Sequence, residues 1–113
     1  IIDSSAVIAI IEGEPLARTL AAALADAERI EISAPNFVET GTVLAGRRPD
    51  DPSYALKRLG AFLAASGVDV APFDHEQGEV ALEARIRFGR GLGGPGKLNL
   101  GDSYAYALAK VRG

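Results

Sequence analysis

Three acidic residues stand alone in the three most apolar stretches of this chain, and any fold must accommodate them. Asp3 is the only charge in IIDSSAVIAII. Glu39 is the only charge between Glu31 and Arg47, within APNFVETGTVLA. Asp102 is the only acid from Ala84 onward, in LNLGDSYAYALA. An ionised carboxylate withdrawn from water without compensation is expensive. The chain has 15 acids, and the others sit in ordinary polar surroundings. Singly, Asp3 also reads as a helix-start residue and Asp102 as a first-turn acid that stabilises its helix, but packing gives no reason for all three placements together. One divalent cation shared by Asp3, Glu39 and Asp102 accounts for them most simply.

The 113 residues suit one domain, residues 1–113, with a core of ordinary size. Hydrophobic residues make up 48% and charged residues 24%, the balance of a soluble globular protein rather than a disordered one. There is no cysteine. That excludes a disulfide framework, a thiol nucleophile and a thiolate metal site, and it fits a cytoplasmic setting. The uncharged run from Ser4 to Ile11 is too short to span a bilayer, so no membrane partner is expected. The chain contains no methionine and stops abruptly at Gly113, so both ends are expected to be incomplete.

The net charge of −3 disfavours a protein that coats nucleic acid non-specifically. The distribution says more. From Arg85 to Gly101 the chain carries Arg85, Arg87, Arg90 and Lys97 and no acid. These four are the candidates for phosphate contacts, against the simpler reading of a solvated loop.

The order of elements follows from periodicity and breakers. Ile1 to Asp3 reads as the end of a buried strand. Ser4 or Ser5 then caps a helix over Ala6 to Glu12. Pro15 starts a second helix, with Leu16, Leu20, Ala23, Leu24 and Ala27 at helical spacing, to about Glu28. Arg29 to Ala34 alternates as a strand. Pro35 opens a helix to about Arg48. Ser53 caps the next one, which ends at Gly67. Val68 to Phe73 is a third strand, and Asp74 with Gln77 forms a capping box for a helix to Phe88. Gly89 to Leu100 is a glycine-rich loop, and a last helix begins near Gly101. Strands separated by helices imply a parallel sheet covered on both faces. Ligands of such sheets gather beyond the carboxyl ends of the strands, where Asp3 and Glu39 both fall.

An all-oxygen ligand set suits a hard cation, Mg²⁺ or Mn²⁺. Zinc sites usually include His or Cys. The only histidine, His75, sits in a polar helix start, which argues against Ser–His–Asp chemistry. GLGGPGK at Gly91–Lys97 imitates a phosphate-binding loop. Its eighth position is Leu98 instead of Ser or Thr, and a helix precedes it where a strand is needed. Nucleotide hydrolysis is therefore rejected.

The segments IIDSSA at Ile1–Ala6, NFVE at Asn36–Glu39 and LNLGDSYAYALAK at Leu98–Lys110 resemble the PIN-domain ribonucleases, and among them the VapC-type toxins of bacterial toxin–antitoxin pairs. GEP at Gly13–Pro15, PFD at Pro72–Asp74 and the RFGRG segment fit as well. The resemblance implies a three-layer α/β/α domain with a short central parallel sheet, here lacking its C-terminal strand. It implies metal-dependent endoribonuclease activity, with Asp3, Glu39 and Asp102 as the catalytic and metal-binding acids. It places Ser5 near the first acid. Asn36, one helical turn from Glu39, and Ser103, next to Asp102, are expected to support those acids. A fourth acid is implied beyond the last helix. The partners implied are RNA, a cognate antitoxin and a second copy of the chain as a homodimer. The competing reading is a non-catalytic module that binds a partner protein or RNA through its alanine-rich helices.

Overall fold

The computed structural model describes residues 1–15, 17–88 and 98–113. Six helices and two strands follow in order: α1 Ser4–Ile11, α2 Ala17–Asp26, β1 Ile30–Ser33, α3 Ala34–Arg47, α4 Tyr54–Ser66, β2 Val68–Ala71, α5 His75–Phe88 and α6 Leu100–Arg112. No helix among the described residues is long and apolar enough to cross a membrane.

β1 and β2 are parallel, with Ile30 opposite Val68 and Ser33 opposite Ala71. The first strand expected from the sequence is reduced to one bridge. Ile2 pairs in parallel with Ile32, and its amide donates to the Glu31 carbonyl at 2.9 Å. The strand goes no further because Asp3 is already the N-cap of α1, its carboxylate accepting from the Ala6 amide at 2.9 Å. This corrects the expectation that Ser4 or Ser5 caps α1. A carboxylate in extended backbone just before the first turn fills that role as well as a hydroxyl.

β1 is the middle of this arrangement and is buried along its whole length. Alternation sends its side chains to two faces. Ile30 and Ile32 join Val7, Ile11, Leu44 and Leu59 in the main core. On the other face Glu31 meets Arg112 of α6 through two hydrogen bonds of 2.9 Å each. Helices therefore cover both faces of β1, as expected for a parallel sheet. β2 is half exposed, with Asp69 and Val70 open to water.

The chain breakers act where their chemistry predicts. Pro35 lies in the first turn of α3, which has no amide to lose there. Gly67 closes α4 at φ +69°, a left-handed angle that residues with a Cβ avoid, and its amide donates to the Leu63 carbonyl. Ser53 precedes α4 but makes no side-chain cap. Asp74 accepts from the Gln77 amide at 2.9 Å. The Gln77 side chain donates to the Pro72 carbonyl instead of returning to Asp74, so only half of the expected capping box forms.

The Glu31 side chain is only 8% exposed. Its charge is tolerated because Arg112 forks onto both oxygens and Arg29 lies 3.5 Å away. The hydrogen bonds to Arg112 hold the Glu31 carboxyl below its ordinary pKa, against the opposing pull of burial. A carboxyl with a depressed pKa in the folded state stabilises fully above its unfolded value. That stabilisation disappears as pH falls through the folded value. Glu31→Gln is therefore expected to lower the thermal midpoint at pH 7. The gap to the parent should close as the pH is taken below 4.5, the ordinary value; melting curves from pH 3 to 7 check this.

Candidate metal centre at the carboxyl edge of the sheet

The register sets the level of the site. With Ile2 opposite Ile32, Asp3 stands beside Ser33, where β1 passes into α3. Parallel strands put both on the same edge. Glu39 follows in the second turn of α3 and is half-buried.

Glu39 connects the other elements. Its Oε1 accepts a hydrogen bond from the hydroxyl of Ser4, the first residue of α1. Asn36 Nδ2, one turn back on α3, approaches the same oxygen at 3.4 Å. The carboxylate also lies flat against Gly101 in the first turn of α6. A Cβ built there would stand 2.7 Å from Oε1 and closer still to Oε2. Asn36 is fully buried, and its Nδ2 donates to the Gly101 carbonyl at 2.9 Å. One side chain thus ties α3 to α6, while another ties α3 to α1.

Asp3 and Asp102 are the chain neighbours of the two residues that Glu39 touches, Ser4 and Gly101. Their carboxylates, however, are turned to their own helices. Asp3 caps α1. Asp102 forms a capping box with Asn99: its amide donates to Asn99 Oδ1 at 2.8 Å, and its Oδ2 accepts from the Asn99 amide at 3.2 Å. Asp3 and Asp102 stand at helix N-termini, where the backbone dipole favours negative charge, and Glu39 reaches the starts of α1 and α6 from the second turn of α3. Among the described residues no three acidic or histidine side chains are grouped tightly enough to hold one ion. The structure brings the segments bearing the three acids to one edge and leaves two of the carboxylates in local caps.

The remaining candidates separate clearly. Asn36 approaches Glu39 Oε1 and holds the Gly101 carbonyl. Ser5 is exposed and, with Asp3, lines a groove of about 580 Å³ between α1 and α2. Ser103 is buried and donates to the Leu100 carbonyl at 2.6 Å. Arg85 donates to the Leu98 carbonyl at 2.7 Å and so holds the entry to α6. Arg87 pairs with Glu83 on the exposed side of α5. Arg90, Lys97 and most of the glycine-rich loop lie outside the described residues.

Ser4 and Gly101 were not singled out by the sequence. Gly101 does carry a signal: a glycine in a helical first turn costs stability relative to alanine, which points to a close approach.

A family model described as PIN domain matches residues 1–113. The chain belongs to the PIN-domain family. Its similar relatives include VapC ribonuclease Mb2780c of Mycobacterium bovis, 42% identical over 113 residues, covering all of this chain and 84% of the relative. Ribonuclease VapC28 of Mycobacterium tuberculosis is 40% identical over 109 residues, covering 96% of this chain and 80% of the relative. Ribonuclease VapC of Mycolicibacterium smegmatis is 35% identical over 113 residues, covering all of this chain and 84% of the relative. In this PIN domain Asn36 stands between Glu39 and Gly101, its Nδ2 reaching both Glu39 Oε1 and the Gly101 carbonyl. Asn36→Ala removes the buried hydrogen bond that joins α3 to the Gly101 carbonyl of α6. It is expected to lower the unfolding free energy by about 0.5–1.5 kcal/mol, read from urea denaturation.

Proposed function

We propose that the chain is a divalent-metal-dependent endoribonuclease, the toxin of a toxin–antitoxin pair, with Asp3, Glu39 and Asp102 as its catalytic acids. The observation that carries the reading is the position of Glu39, whose carboxylate touches the residue after Asp3 and the residue before Asp102. Three oxygen-donor side chains on adjacent segments match the ligand chemistry of Mg²⁺ or Mn²⁺. A bound ion of this kind acidifies a coordinated water and stabilises charge on the phosphodiester oxygens.

The chain's own residues supply the rest. Ser4 and Asn36 fix the Glu39 carboxylate at the starts of α1 and α6. Asp3 and Asp102 would exchange cap hydrogen bonds for the ion. Such a cap is worth about 0.5–2 kcal/mol, a modest cost against three converging negative charges relieved by a cation. The base that activates the attacking water is not assigned among the three. Arg87, with Arg90 and Lys97, supplies positive charge for RNA phosphates. Arg85 is already engaged with the Leu98 carbonyl and acts on the position of α6.

The two protein partners are supported by exposed apolar surface. Helix α2, ARTLAAALAD, has no buried residue. It is flanked by grooves lined by Leu20, Ala23, Leu24 and Ala21. This surface suits an antitoxin segment. On α5, Leu82 and Ile86 lie one turn apart and are 60% and 56% exposed, an apolar stripe suited to a second copy.

Two outcomes are expected. The protein should cut single-stranded RNA only with added Mg²⁺ or Mn²⁺, and Asp3→Asn, Glu39→Gln and Asp102→Asn should each abolish cleavage; a gel assay with excess EDTA as control reads both. Mn²⁺ at 100 times its dissociation constant should stabilise the fold by about 2.7 kcal/mol through linkage, seen as a higher melting temperature. Metal-independent cleavage, or cleavage retained in all three variants, would refute the reading.

A further inference from the structure

We propose that Ser4 is a positioning residue for the Glu39 carboxylate, and that a glycine at 101 is required for the same purpose. The proposal rests on the metal-nuclease reading and adds to it how one ligand is held. The two oxygens of Glu39 have different surroundings. Oε1 takes the Ser4 hydroxyl and faces Asn36 Nδ2. Oε2 accepts no hydrogen bond among the described residues and lies against Gly101, immediately before Asp102. Ser4 thus occupies Oε1. Oε2, the oxygen nearer Gly101, carries no hydrogen bond among the described residues, and it is the one this proposal gives to the cation.

The location of Ser4 makes this a directed contact. As the first residue of α1 it is locked by the Asp3 cap one position earlier. Ser4 is buried and its hydroxyl bonds Glu39, whereas Ser5 is exposed. Among the described residues the hydroxyl that bonds Glu39 is therefore the one on the same turn as Asp3, so the Ser4 side chain links two of the acids. Gly101 works from the opposite side. Any Cβ there would enter the space both oxygens occupy and push the carboxylate off the α6 start. Partners of this kind, which orient a metal-ligating carboxylate without touching the ion, typically change metal affinity 10–100-fold when removed.

The test measures Mn²⁺ affinity of the full chain by electron paramagnetic resonance, alongside circular dichroism and melting without metal. Ser4→Ala is expected to weaken Mn²⁺ binding about 10-fold while leaving the fold intact. Ser4→Thr, which keeps the hydroxyl, should restore it to about the parental value. Gly101→Ala should weaken binding at least as much as Ser4→Ala. In a Glu39→Gln background Ser4→Ala should have little further effect on Mn²⁺ affinity. The metal-free melting shifts of the two substitutions should be non-additive. Parental Mn²⁺ affinity in both Ser4→Ala and Gly101→Ala overturns this proposal alone. A parent chain that takes up no Mn²⁺ overturns the metal-nuclease reading and this proposal with it.

Discussion

The Glu39 carboxylate has to satisfy its charge where three helices meet, and the surroundings of the site follow from how it does so. Its hydrogen bond from Ser4 brings α3 to the start of α1. Its approach to Gly101 brings α3 to the start of α6. Neither neighbour is close to Glu39 in sequence, so the contact reports the tertiary fold rather than local preference. Asn36 reinforces it from the same helix by holding the Gly101 carbonyl. The positive ends of α1 and α6 then face the edge at which the acids accumulate. This junction gathers the segments that carry Asp3, Glu39 and Asp102.

A second charged contact keeps α6 in place from the far end. Arg112, in the last turn, forks onto Glu31 in the buried central strand. Removing one member of such a pair leaves the other uncompensated, which is why buried pairs are costly to break. Arg85 secures the opposite end by donating to the Leu98 carbonyl just before the helix. The helix bearing Asp102 is thus fixed at both ends, and the freedom left in the site belongs to side chains. Asp3 and Asp102 are engaged in helix caps, each worth about 0.5–2 kcal/mol.

Much of this was legible in the sequence because it depends on local chemistry. Pro35 marks a helix start because its missing amide costs nothing there, and Gly67 marks an end because its φ is positive. The alternation in Ile30 and Ile32 exposed the central strand, and the isolation of Glu39 in apolar company flagged the acid that joins the helices. What escaped the reading depends on approach in three dimensions. Ser4 and Ser5 are chemically identical, and only the packing of α3 against α1 decides which hydroxyl reaches Glu39. For Asp3 the sequence supports a ligand and a helix-start residue alike, since both tasks use one oxygen-rich side chain at one turn; its carboxylate caps α1 in place of Ser4 or Ser5. The first strand was overestimated for the same reason: the cap leaves Ile2 as its only paired residue. Arg85 reads as free positive charge because its carbonyl partner, Leu98, lies thirteen residues away in the sequence.

Anomalous diffraction from crystals grown with Mn²⁺ tests the central claim directly. The account predicts a manganese peak at the junction of α1, α3 and α6, with oxygens of Asp3, Glu39 and Asp102 in its coordination shell and Ser4 still bonded to Glu39. Ordered manganese bound elsewhere, with Asp3 and Asp102 still in their helix caps, would contradict it.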